Sequence, residues 1–218
     1  IPNSVTRIED EAFSGCTVTS IKVSEGNKTY NSSDNCNAII ETETNKLIKG
    51  CAATVIPDSV TEIGEGAFCG CTCLTSIVIP DSVTVIGASA FKGCTGLTSF
   101  VIPDLVTEIG HYAFEDCTGL TSIVIPDSVT KIGSSAFFCC TGLTSIVIGN
   151  SVTEIGSDAF WECTGLTSIV IPDSVTVIGD GAFNGCMGLT NITIPDSVTK
   201  IGFRAFKKIL PNVTHVAV

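Results

Sequence analysis

Twelve cysteines in a chain of 218 residues are the first candidates for chemistry. A thiolate can ligate metal, a pair of thiols can form a disulfide, or the thiol can simply fill space as a small apolar group. Cys69, Cys71 and Cys73 form C-x-C-x-C, and Cys139 adjoins Cys140. Structural zinc takes four tetrahedral ligands, usually from C-x2–4-C pairs. The chain's two histidines, His111 and His215, lie far from Cys71 in sequence. No metal or cofactor site is therefore expected. Cys71, Cys94, Cys117, Cys140, Cys163 and Cys186 recur at a constant step of 23 residues. Such a column points its side chains one way, and parallel Cβ vectors suit a disulfide poorly. These six are read as a buried ladder of free thiols, placed where only size matters.

A second column is acidic: Asp58, Asp81, Asp104, Asp127, Asp173 and Asp196. Calcium-binding solenoids use G-G-x-G-x-D, which is absent, so these aspartates are read as caps of the turns that hold them. Thr75, Thr98, Thr121, Thr144 and Thr167 run beside Ser76, Ser99, Ser122, Ser145 and Ser168. Small and β-branched residues suit a strand surface, and an array this uniform singles out no one partner. The positions that vary flank a repeated Ala-Phe pair. They hold His111, Tyr112, Glu115 and Asp116, then Phe138 and Cys139, then Asp158, Trp161 and Glu162, then Phe203, Arg204, Lys207 and Lys208. Large aromatics beside acids resemble an interaction hot spot. His111, Tyr112, Phe138, Trp161 and Glu162 are therefore the candidate partner-binding residues. The other reading is that the aromatics half-bury beneath the next turn. No G-x-S-x-G, P-loop or H-E-x-x-H motif occurs, so no catalysis is expected.

What must position these columns is the repeat itself. "CTGLTSIVIPDSVTKIGSSAF", Cys117 to Phe137, returns along the chain almost letter for letter. Phe68, Phe91, Phe114, Phe137, Phe160 and Phe183 keep the same step, as do glycines from Gly64 to Gly202 and leucines from Leu74 to Leu189. A fixed period of this length means a solenoid, because one coil cannot bury its own apolar residues and must stack on its neighbours. Leu120, Ile123 and Ile125 have the L-x-x-L-x-L spacing of a leucine-rich-repeat strand. Strand side chains alternate, so Ile123 and Ile125 face in while Ser122 and Val124 face out. "IPDS" turns the chain and "VTKIG" is a second extended segment. Gly133 then supplies a positive φ or a close approach, and "SSAFFCC" is expected to form a single helical turn. The reading is of about eight 23-residue coils forming one solenoid domain, residues 1–218.

The stretch "IPDSVTEIGEGAFCGCTCLTSIVIP", Ile56 to Pro80, resembles the BspA-like subclass of leucine-rich repeats, also described for treponemal surface proteins. The resemblance extends over nearly the whole chain through the joint pattern I-P-x-S-V-T-x-I-G-x-x-A-F-x-x-C. It implies a leucine-rich-repeat solenoid of the α/β type, a right-handed superhelix of short parallel strands, extended segments and single helical turns. It also implies a secreted or cell-surface protein of a host-associated bacterium or parasitic protist. The implied role is adhesion to a host matrix protein, cell surface or glycan, without enzymatic activity.

One segment, Ser24 to Ile56, breaks the period with 33 residues. Ile39–Ile40 and Leu47–Ile48 flank a loop at Thr42–Asn45, which reads as a hairpin projecting from an irregular repeat, residues 24–56. Centred there, the hairpin sets Ile40 opposite Leu47, Ile39 opposite Ile48 and Cys36 opposite Cys51. Cys36 and Cys51 are thus the candidate disulfide, although Cys51 also falls in the leucine column, where it would be core. The chain begins in mid-pattern at Ile1, as a processed or excised piece would, with any export signal upstream. Both solenoid ends are expected to be uncapped. A net charge of -11, from 22 acidic and 11 basic residues, disfavours nucleic acid and anionic lipid. No apolar run approaches the roughly 20 residues of a membrane helix. The whole points to a binding module for an extracellular protein or glycan, with a structural spacer as the rival reading.

Overall fold

The computed structural model describes residues 1–9, 12–13 and 18–209. Strands β1 (Tyr30–Asn31), β2 (Ile39–Glu41) and β3 (Lys46–Lys49) precede the regular repeats. There follow β4 (Glu62–Ile63), β5 (Val85–Ile86), β6 (Glu108–Ile109), β7 (Ser122–Val124), β8 (Lys131–Ile132) and β9 (Ser145–Val147). The last five are β10 (Glu154–Ile155), β11 (Ser168–Val170), β12 (Val177–Ile178), β13 (Asn191–Thr193) and β14 (Lys200–Ile201). They form two sheets. The longer has 10 strands in the order β1-β2-β3-β4-β5-β6-β8-β10-β12-β14, and the shorter has 4 in the order β13-β11-β9-β7.

The long sheet is made by the second extended segment, not by the L-x-x-L-x-L segment. Its two-residue strands pair in parallel with like opposite like: Ile63 with Ile86, Ile86 with Ile109, Ile109 with Ile132. Each isoleucine faces the core, while its neighbour faces out, where Lys131 pairs with Glu154 across the coils at 3.3 Å. The same superposition stacks the phenylalanines. From Phe68 to Phe206, successive rings lie 5.1–5.4 Å apart and within 8° of parallel. Free aromatic pairs favour offset or edge-on contacts, but here the strand repeat of about 4.8 Å sets the spacing. Phe100 supplies the edge-on contact, 4.8 Å from both Phe91 and Phe114. Gly133 serves the close approach: a Cβ there would stand 2.7 Å from the Gly110 carbonyl carbon, and its φ is not in the left-handed region.

Four expectations change. Residues 134–139 are turns, not a helical turn, and the one helical element among the described residues is the 3-10 segment Ser33–Asn35. The reason lies in where the amide groups go. Ser135, Phe137 and Cys139 donate to the next coil at 2.8 Å, while Ala136, Phe138 and Cys140 donate three residues back at 3.1–3.2 Å. Ser135 and Cys139 therefore adopt left-handed φ of 55° and 56°, which no right-handed helix accommodates. Second, the complete coils number six, spanning 57–194, rather than about eight. The described residues of the first copy carry no strand. Several of them, with Val23, Tyr30 and Ile39, form a small apolar cluster apart from the main core.

Third, the hairpin does not project. β2 and β3 pair antiparallel, and β3 then runs parallel to β4, with Leu47 opposite Ile63 and Lys46 paired to Glu62 at 2.7 Å. The hairpin thus continues the long sheet and covers the end that was expected to be uncapped. Fourth, Cys36 and Cys51 are not joined. Ile40 does oppose Leu47, but a bulge between Ile39 and Ile40 sets Ile39 opposite Lys49 instead of Ile48. That extra residue carries the two thiols apart: both are buried and free. The Cys36 sulfur faces the Ala38 carbonyl at 4.0 Å, and the Cys51 sulfur faces Thr19 and Asn37 carbonyls at 3.6 and 3.7 Å.

Candidate interaction surface

The varied residues lie along one edge of the solenoid, on the turns that follow each strand of the long sheet. Every coil puts two residues of this turn in the left-handed region. The first position is Gly66, Ser89, Tyr112, Ser135, Asp158, Gly181 and Arg204; the second is Gly70, Gly93, Asp116, Cys139, Glu162, Gly185 and Lys208. Glycine takes such a conformation freely, whereas a residue with a Cβ costs roughly 1–2 kcal/mol. In the three central coils, 103–171, neither position is glycine. Those coils bear the cost six times over and project Tyr112, Asp116, Cys139, Asp158 and Glu162, with Ser135 buried between them.

Phe138 and Trp161 occupy the same place in neighbouring coils. Their rings stack 6.1 Å apart at 22°, and both are half-buried. The next coil makes room for them. A Cβ on Gly181 would come within 2.9 Å of the Trp161 ring, and one on Gly185 within 2.7 Å of the Glu162 carboxyl. Glu162 stands 3.9 Å from Lys208. Burial, and then the Asp180 carboxylate, push the Asp158 carboxyl above its ordinary range. One coil earlier, Lys92 lies 5.6 Å from the centre of the Tyr112 ring and 2.8 Å from the Glu115 carboxylate. That carboxylate, first by its hydrogen bond, raises the lysine above its usual value.

The structure therefore gathers Phe138, Trp161 and Glu162 into one shelf and sets Tyr112 apart from it, under Lys92. His111 is engaged differently: its Nδ1 accepts the Ser134 amide at 2.9 Å. Asp180 does the same for the Phe203 amide at 2.6 Å. Sequence reasoning did not single out Lys92, Gly181 or Gly185. The signal was present, since glycines and bulky residues alternate in one column, but only backbone angles reveal that column as left-handed.

The uniform columns turn out to be structural. From Cys94 onward each ladder thiol donates to a phenylalanine carbonyl of the preceding coil, as Cys140 does to Phe114 at 3.1 Å and Cys186 to Phe160 at 3.0 Å, whereas Cys71 faces the Gly50 carbonyl at 3.9 Å. The column is thus chosen for an S–H donor as well as for size. Burial raises the ladder thiols strongly, Cys186 to about 12. The threonine hydroxyls are also spent on backbone: the Thr144 hydroxyl and amide both donate to the Thr121 carbonyl, at 3.0 and 2.9 Å. Three of the six turn serines bond across coils, whereas the turn aspartates largely do not. Ser82, Ser174 and Ser197 donate to carbonyls of the preceding coil at 2.6–2.8 Å. Of the aspartate column, Asp127 alone makes a side-chain hydrogen bond among the described residues, to the Asn150 amide at 2.6 Å.

Short parallel strands stacked coil upon coil over a buried leucine, isoleucine and phenylalanine core define a leucine-rich-repeat solenoid, a class built for protein interaction. The chain belongs to the BspA type leucine rich repeat family, which matches residues 1–50, 49–167 and 153–217 in 6 copies. It is similar to the solved leucine-rich repeat protein of T. pallidum, with 33% identity and a TM-score of 0.69, over 88% of this chain and 92% of that one. It is similar also to a leucine rich cell surface protein of Faecalibacterium prausnitzii, at 32% identity and a TM-score of 0.60, over 98% of this chain and 63% of that one. A leucine-rich repeat protein of Eubacterium ventriosum aligns at 27% identity and a TM-score of 0.67, over 85% and 57%. The chain thus spans less than two thirds of the last two proteins. No curated protein matches it. No helix among the described residues is long and apolar enough to cross a membrane.

Proposed function

We propose that this solenoid is an extracellular adhesion module and that its turn edge, in the three central coils, is the contact surface for a protein. The observation that carries this reading is the row of side chains held in left-handed backbone where the flanking coils, 57–102 and 172–194, use glycine at five of six positions. Strain retained without a packing return points to function. The family and the surface protein of F. prausnitzii support a place outside the cell. The residues assigned to the contact are Tyr112, Phe138, Trp161 and Glu162, with His111 supporting the edge through the Ser134 amide.

The test is binding to a panel of immobilised extracellular matrix proteins, with Trp161→Ala and Val147→Ser compared. Trp161→Ala weakens capture at least tenfold, about 1.4 kcal/mol, while Val147→Ser on the short sheet leaves it unchanged. A module that only spaces other domains captures nothing from the panel. Equal weakening by both variants would refute the assignment of the edge.

A further inference from the structure

Resting on that reading, we propose that the Phe138–Trp161 shelf receives a lysine or arginine side chain from a basic segment of the partner protein. The first ground is charge. Across the turn edge from His111 to Gly185 there are five carboxylates, Glu115, Asp116, Asp158, Glu162 and Asp180, and no lysine or arginine. The second is that the molecule already binds cations this way at both ends of the same edge. Lys92 sits between the Tyr112 ring and the Glu115 carboxylate, and the Arg204 guanidinium lies 4.6 Å from the centre of the Phe203 ring. A cation over an aromatic face, at Lys92 beside a carboxylate as well, is thus an arrangement these turns stabilise.

The central shelf has two stacked rings and their neighbouring acids, with Lys208, paired to Glu162 at 3.9 Å, as the one cation held there among the described residues. The third ground lies one coil further on. Asn184 follows Trp161 in the same column and is 2% exposed, and its Oδ1 has no hydrogen-bond partner among the described residues. A buried carbonyl oxygen of this kind calls for a donor, which ammonium and guanidinium groups supply in number and carboxylates lack. Asp158, destabilised as an anion by burial and by Asp180, gains from a nearby positive charge. An acidic or phosphorylated segment meets repulsion on the same surface.

Trp161 is the sole tryptophan, so its emission reports the shelf directly. The protein is titrated with oligoarginine, oligolysine, oligoglutamate and a glutamine peptide of equal length, followed by fluorescence and by calorimetry. Oligoarginine and oligolysine shift the emission saturably, and the other two do not. Asp158→Asn with Glu162→Gln weakens the cationic peptides at least tenfold. Asp81→Asn with Asp173→Asn removes the same charge from the far turns and changes affinity less than twofold. Equal weakening by the two double variants would reduce the effect to net charge and overturn the inference. So would a tryptophan response to neutral oligosaccharides in place of the cationic peptides. If Trp161→Ala abolishes capture of a matrix protein that cationic peptides fail to displace, the edge stands as the contact surface and its cation preference does not. If Trp161→Ala leaves capture intact, the reading of the edge falls, and this inference with it.

Discussion

The short sheet and the turn edge are made by the same 23-residue repeat, yet they diverge completely in what they tolerate. On the sheet, Thr, Ser and Val return in nearly every coil. The threonine hydroxyls are tied to the backbone, and valines at 55, 78, 101, 124, 147 and 170 stand 58–84% exposed without variation. On the edge, glycine, serine, tyrosine, aspartate, cysteine, glutamate, arginine and lysine all occupy equivalent left-handed positions. A column stays uniform where each side chain bonds or packs against its own copy one coil away. It is free to change where the backbone makes the regular bonds to the next coil and no one side chain is required for them. Variation on a solenoid therefore marks the places released from stacking, and those are the places available for recognition.

Five measurements would break or sharpen that contrast. The largest loss is expected in the core ladder: Phe137→Ala removes a ring stacked on both sides and should cost roughly 3–5 kcal/mol in denaturant unfolding. If it cost no more than an edge substitution, the ladder would not be what holds the coils together. Next is alkaline pH. The ladder thiols keep their protons when folded, whereas unfolded thiols lose them near pH 8.5. Stability should be fully present below about pH 8.5 and fall as the pH rises toward about 12, the value of Cys186. A flat profile in thermal melts over that range would remove the buried thiols from the account. Gly133→Ala sets a Cβ 2.7 Å from the Gly110 backbone and should cost about 1–3 kcal/mol.

The two smallest effects test the contrast most directly. Thr144→Val keeps shape and loses one hydroxyl bond between coils, for an expected cost of about 1 kcal/mol. Cys139→Gly should have the opposite sign. Relieving a left-handed residue is expected to stabilise the fold by about 1 kcal/mol. Stabilisation there, with weaker partner capture, would show that the central coils carry strain for binding. Destabilisation by Cys139→Gly would show instead that the side chain serves packing.

Much of the architecture was legible because superposition is periodic, and a period is visible in one dimension. The Phe68-to-Phe183 column, the inward isoleucines and the buried cysteines all read directly. The pairing of Cys36 with Cys51 did not survive, since a single bulge at Ile39–Ile40 shifts every partner beyond it. The helical turn at 134–139 also gave way, because its amides bond outward to the next coil, a choice no local pattern records. His111 was singled out as a contact residue, but its ring nitrogen holds the Ser134 amide. His215 and Cys16 lie outside the described residues.

By itself, the sequence determined that this chain is a solenoid of 23-residue coils with an apolar, cysteine-bearing core, because identical spacing forces identical side chains into register. Only the tertiary structure decided which turn positions are left-handed, which hydroxyls and thiols are consumed between coils, and that Gly181 makes room for the Trp161 ring. Those facts depend on bonds between residues a full coil apart. A backbone angle or a hydrogen-bond partner is settled by what the neighbouring coil offers, and residue type alone does not encode it.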